Sequence, residues 1–85
     1  MASGAVGKEE FQHATAQLTA AKSEVPMMND LKKDIIYSLG DTFEKMGKDK
    51  EAVDEYKIIY MADSGYRDVA KKINDFYERQ KGATA

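Results

Sequence analysis

Apolar residues recur along this chain at steps of three and four, the period of an amphipathic helix, in four blocks separated by turn-forming residues. The first block runs from about Lys8 to Glu24 and places Phe11, Ala14, Leu18, Ala21 and Val25 on one face. Pro26 closes it, because proline offers no amide hydrogen and disfavours helix in the residue before it. The second block starts at Asn29 or Asp30, either of which can cap free amides, and carries Ile35, Ile36, Leu39, Phe43 and Met46 up to a stop at Gly47. The third spans about Lys50 to Ala62, with Asp49 as its expected cap and Ala52, Val53, Tyr56, Ile59 and Tyr60 inward. After a turn at Asp63-Ser64-Gly65, the fourth runs from about Tyr66 to Gln80 with Val69, Ala70, Ile73, Phe76 and Tyr77. No segment alternates with period two for long enough to form a strand. The chain is predicted to be all-α, built of about four helices in antiparallel pairs.

Composition narrows the class further. Eighty-five residues make one domain near the lower end of what a single core supports. The net charge of -2 gives no general attraction to nucleic acid or to anionic membranes. A helix-turn-helix reading fails on the fourth helix, where Arg67, Lys71, Lys72 and Arg79 are interleaved with Asp68, Asp75 and Glu78. The absence of cysteine excludes disulfides and thiolate chemistry. No apolar run approaches the roughly 18 residues that span a bilayer, so membrane insertion is not expected. Residues 1–7 lack the apolar stretch of an export signal and read as a flexible linker or tag, and residues 81–85 as a flexible tail. A cytoplasmic location follows as the default expectation.

One stretch is more specific. Ile36, Leu39, Gly40 and Phe43, followed by Ala52 and Tyr56, keep the spacing W-x2-L-G-x2-Y…A-x3-F, with Ile36 at the tryptophan position. In this the chain resembles the tetratricopeptide repeat, a helix pair of roughly 34 residues. A glycine at that position lets the second helix of the pair lie directly on the first. The resemblance implies a domain over residues 8–80, a complete repeat over 33–66, and partial repeats on either side. Short arrays of this type are common inside larger bacterial proteins. It also implies a groove lined by the first helix of each pair: Asp34, Tyr37, Asp41 and Glu44, then Asp68, Lys71, Asp75 and Glu78. Each set keeps steps of three, four and three residues, so each forms one helical face whatever the family. Six of the eight are carboxylates, which favours a partner segment carrying lysine or arginine, with Tyr37 available for a cation–π contact. The same faces are also what ordinary solvated helices present. Repeats that grip a terminal carboxylate need a basic groove, and here only Lys71 has that sign.

Candidate chemistry is sparse. His13 has no cysteine or clustered carboxylate beside it that would make a metal site. Ser38, Thr42 and Ser64 lack a base at triad spacing. Asp54 and Glu55 are adjacent and point to different sides of a helix, which suits them poorly to paired acid–base work. No glycine-rich phosphate loop is present. The chain reads as a non-enzyme without cofactor or metal. Its expected function is to bind a protein or peptide in the groove. The alternative is an assembly element that forms homo-oligomers through its terminal helices, because about three repeats are usually needed to bury a repeat core. Met27-Met28 is expected to fill the gap between the first two helices.

Overall fold

The computed structural model describes residues 3–84, with side chains from Glu9 to Gly82. It contains four helices: α1 (Ser3–Glu24), α2 (Asp30–Lys45), α3 (Asp49–Ala62) and α4 (Val69–Thr84). No strand occurs among the described residues. Met1, Ala2 and Ala85, at the ends of the expected linker and tail, lie outside them. Residues 3–7 and 81–84 are helical, so α1 begins five residues before the expected start and α4 runs past Gln80. Neither stretch contains a proline, and extending an existing helix adds one hydrogen bond for each residue fixed.

The helix ends follow from local chemistry. At the start of α2 the Asn29 Oδ1 accepts a hydrogen bond from the Lys32 amide at 2.9 Å, which makes Asn29, of the two candidates Asn29 and Asp30, the cap. At its end Gly47 takes φ +79°, a left-handed conformation that L side chains rarely adopt. The Lys48 amide then donates to the Phe43 carbonyl at 2.8 Å and the Gly47 amide to the Glu44 carbonyl at 3.0 Å. This closes α2 in a Schellman motif. The chain enters α3 directly from that turn, so Asp49 is the first helical residue and not its cap. Lys48 occupies the cap position and makes no side-chain capping bond.

The fourth helix starts later than its apolar pattern suggests. Residues 63–68 form linked turns, in which the Tyr66 amide donates to the Asp63 carbonyl and Arg67 adopts φ +43°. The Tyr66 hydroxyl donates to the Asp34 carboxylate, and the Arg67 guanidinium pairs with the same group at 2.9 Å. The three residues lost from the expected helix therefore tie the α3–α4 connection to α2.

Among the described side chains, the buried core lies on the last three helices. Ile36, Leu39, Ala52, Val53, Tyr56, Ile59 and Val69 are buried, while Phe11, Ala14, Leu18 and Ala21 of α1 are only half-buried. Gly40 makes the α2–α3 contact possible: a Cβ there would sit 2.6 Å from Cε1 and 2.8 Å from Cζ of the Tyr56 ring. Consecutive helices pack side by side, and alternate helices are joined by side chains. Lys22 of α1 bonds Glu55 of α3 at 2.9 Å, and Lys72 of α4 bonds Glu44 of α2 at 3.2 Å. The helices thus alternate between an α1–α3 layer and an α2–α4 layer.

Several expected contacts differ. Tyr60, predicted inward, is exposed because the inward face of α3 is already filled by Tyr56 and Ile59. Met27 is 71% exposed and Met28 is also exposed, so the pair sits on the surface of the α1–α2 connection and fills no gap. On α4, Val69 is buried and Ile73 and Phe76 are half-buried, whereas Ala70 and Tyr77 face outward. Most of that apolar stripe therefore packs on α3.

The Schellman turn yields a direct test. Gly47→Ala should cost about 1–2 kcal/mol, because the left-handed conformation is disfavoured for any residue with a Cβ. Urea unfolding followed by circular dichroism reads this, and an unchanged midpoint would contradict the assigned helix end.

Candidate functional site

The two faces predicted to line a groove meet in the structure, but their members hold one another more than expected. The Tyr37 hydroxyl on α2 donates to Asp68 at 2.5 Å. Asp68 sits in the turn before α4 and not on the helix, a shift of place that follows from the late start of α4. Asp34 is paired with Arg67, Glu44 with Lys72, Asp41 with Lys45 at 3.0 Å and Asp75 with Lys71 at 2.9 Å. Four of the six carboxylates therefore have a cation of the chain's own beside them. Glu78 has none.

These pairs are mostly solvated, where such contacts are worth roughly 0–1 kcal/mol and exchange readily for a competing charge. They lower the negative potential of the face without closing it. The hydrogen bond from Tyr37 holds the Asp68 carboxyl below its ordinary value of 3.8. In turn burial, and then the bond to Asp68, push the Tyr37 hydroxyl up to about 12. The Asp75 carboxylate beside Lys71 raises that ammonium's pKa.

Tyr37 has a different place from the one expected. Its ring lies 5.5 Å from that of Tyr56 and 6.3 Å from that of Tyr66, and the Arg67 guanidinium stacks over it at 5.0 Å. It is half-buried, a wedge between α2 and the α3–α4 turn more than an open contact for a ligand. The signal for Arg67 was weak in the sequence, since the residue precedes α4 and joins neither helical face.

Open space lies at the other end of the face. A cavity of about 390 Å³ is lined by Glu44, Asp49, Lys72, Asp75 and Arg79, drawn from three helices. The sequence marked only Glu44 and Asp75 of these. Asp49, Lys72 and Arg79 lie off the predicted faces and reach the cavity only through the packing of α3 and α4. Elsewhere, His13 lines a shallow depression on α1 with Glu9, Glu10, Ala14 and Gln17. Among the described residues no group of three or more His, Cys, Asp or Glu side chains is placed to hold a metal ion. No described helix is long and apolar enough to cross a membrane.

No family model, curated protein or solved structure matches this chain.

The Tyr37–Asp68 bond predicts a pH effect. A depressed folded pKa contributes stability that is present above the unfolded value and is lost as pH falls through the folded one. Tyr37→Phe should return the Asp68 titration midpoint towards 3.8 and make the loss of stability below that pH shallower. Carboxyl-carbon NMR titration of both proteins reads this, and an unmoved Asp68 midpoint would contradict the assignment.

Proposed function

We propose that this chain is a tetratricopeptide-type interaction module that holds a lysine- or arginine-bearing segment of a partner protein across the α2–α4 face. The observation that carries the reading is the joining of α2 to α4. Alternate helices share a surface that carries Asp34, Asp41, Glu44, Asp68, Asp75 and Glu78, and Glu44 and Asp75 of these line a cavity open to solvent. The close approach at Gly40 and the two-layer alternation of helices support the repeat assignment. No described side chain on the face is arranged as a nucleophile with a base, and five of its six carboxylates are engaged in ion pairs or hydrogen bonds, which suits binding better than catalysis.

Exchange explains how such a surface works. Each resident pair on the face costs little to open in water, so a partner cation can replace Lys45 at Asp41 or Lys71 at Asp75. The net gain is then set by several simultaneous replacements and by apolar contacts beside them. Binding of this kind weakens as salt rises, because exposed charges are screened within about 10 Å at 0.1 M.

A second reading has its own observation. Ala70 and Tyr77 of the terminal helix α4 are exposed, and another copy of the chain could pack there. In that reading the module builds an oligomer, and its thermal midpoint rises with protein concentration.

Selection from a displayed random-peptide library tests the first reading. Lysine- and arginine-rich sequences should be enriched, and the double substitution Asp41→Lys with Glu78→Lys should weaken their capture at least about tenfold, given charge reversal at two positions. Enrichment of acidic or neutral sequences, or capture indifferent to the reversal, would contradict it.

A further inference from the structure

Two connections flank the start of α2, and they are held very differently. The α3–α4 turn is fastened to α2 by the Tyr66 hydroxyl and Arg67 on Asp34, by Tyr37 on Asp68 and by Lys33 on Asp63 at 3.0 Å. Residues 25–29, which join α1 to α2, are held by local bonds. The Val25 amide donates to the Lys22 carbonyl at 3.4 Å, the Asn29 amide to the Met27 carbonyl at 2.9 Å, and the Asn29 side chain caps α2. Met27 and Met28 are exposed. Pro26 disfavours helical backbone at Val25, so this segment straightens into an extended strap and does not fuse α1 and α2 into one helix.

The helix beyond this hinge is the most lightly held of the four. Among the described side chains none of α1 is buried: Phe11, Ala14, Leu18 and Ala21 are half-buried. Its side chains meet α2 where the Thr15 hydroxyl lies 3.6 Å from the Met46 Sδ, and α3 where Lys22 pairs with Glu55 at 2.9 Å. The seat of α1 is apolar. Leu39 is buried but stands outside the cluster around Tyr56, and it precedes Met46 by seven residues, about two helical turns, which puts it on the α1 side of α2. Ile35, one turn earlier, continues that face and is half-buried. Undocking α1 thus uncovers Ile35 and Leu39 while the cluster of Ile36, Ala52, Tyr56, Ile59 and Val69 stays closed. A unit with few buried contacts is the kind that opens separately from the rest of a domain.

We infer that α1 is an exchangeable arm, and that the Ile35–Leu39–Met46 face of α2, with Glu55 beside it, takes the α1 of a second copy of this chain. Complementarity names the occupant, since the closed chain already seats α1 there. Reciprocal exchange of one element remakes the same contacts between copies, including the Lys22–Glu55 pair and the Thr15–Met46 contact in both halves. Closed and exchanged forms then differ in the shape of residues 25–29 and in the cost of bringing two copies together, so rising concentration favours exchange. Straightened, those residues reach about 17 Å, beyond the roughly 8–10 Å between packed helices, which is enough to pass α1 to a neighbouring body. The α2–α4 face stays free throughout. The inference therefore stands apart from peptide binding on that face, and it uses a different surface from packing through α4.

Pairing by charge tests the exchange with the hinge intact. Lys22→Glu and Glu55→Lys each set like charges against one another within a single copy, and an exchanged dimer of one with the other restores an opposite pair at both seats. Mixed at about 1 mM, the two variants should form mixed dimers in excess of the random proportion by native mass spectrometry. Shortening the hinge by deleting Met27 and Met28 should stop α1 from folding back and bring dimerisation to an at least about tenfold lower concentration, read by light scattering after gel filtration. Thr15→Cys with Met46→Cys, in a chain that has no cysteine of its own, should lock α1 closed once oxidised in dilute solution and leave a monomer. Mixing at the random proportion, absence of mixed dimers, or a folded shortened chain that stays monomeric would overturn the proposal. A dimer that survives the lock and is lost in Tyr77→Lys would assign association to α4, and the exchangeable arm would fall.

Discussion

The contact between Gly40 and Tyr56 sets the geometry on which the rest of this structure depends. Because residue 40 has no side chain, the Tyr56 ring reaches across α3 and lies against the α2 backbone. That approach lets Ile36, Ala52, Ile59 and Val69 close around the ring in one cluster, in a chain too short for a large core. It also places Tyr56 beside Phe76 in a space of about 10 Å³ that shares Glu44, Asp49, Lys72 and Arg79 with the open cavity. The packed core and the candidate site therefore adjoin at this residue, and a change that loosens the pair would alter the cavity too.

A consequence concerns charge. A face rich in aspartate and glutamate reads as strongly acidic, yet Lys45, Arg67, Lys71 and Lys72 lie against most of those carboxylates. Such an arrangement keeps α2 and α4 from repelling one another while no partner is present. On the proposed reading of this face, binding would be an exchange of cations and not a simple neutralisation, with specificity coming from places where the resident cation fits badly. Asp49, approached by Arg79 only at 3.7 Å, is the clearest of these.

Much of the fold was legible from residue spacing alone. The α2 cap at Asn29, the stop at Gly47 and the inward residues from Ile36 to Ile59 are local features, set by side-chain period and turn chemistry. What spacing could not reveal was tertiary. The apolar pattern of α4 begins before the helix does, because the Tyr66 hydroxyl and Arg67 are drawn to Asp34, more than thirty residues earlier. Tyr37 looked available to a ligand, but two tyrosine rings and a guanidinium surround it. Asp49, Lys72 and Arg79 gave no sign of a shared site, since only helix packing brings them together. The predicted faces located one wall of the candidate site. The cavity belongs to three helices.

The most direct test of this account is a double-mutant cycle between residues 40 and 56, read by urea unfolding. Gly40→Ala in the parent chain should lose about 1–3 kcal/mol, because the buried Tyr56 ring has no room to yield. In a Tyr56→Leu background the same substitution should be neutral or stabilising by up to about 1 kcal/mol, the ordinary helix preference of alanine over glycine. An equal effect of Gly40→Ala in both backgrounds would show that the two residues do not meet as described, and the shared origin of core and cavity would fall with it.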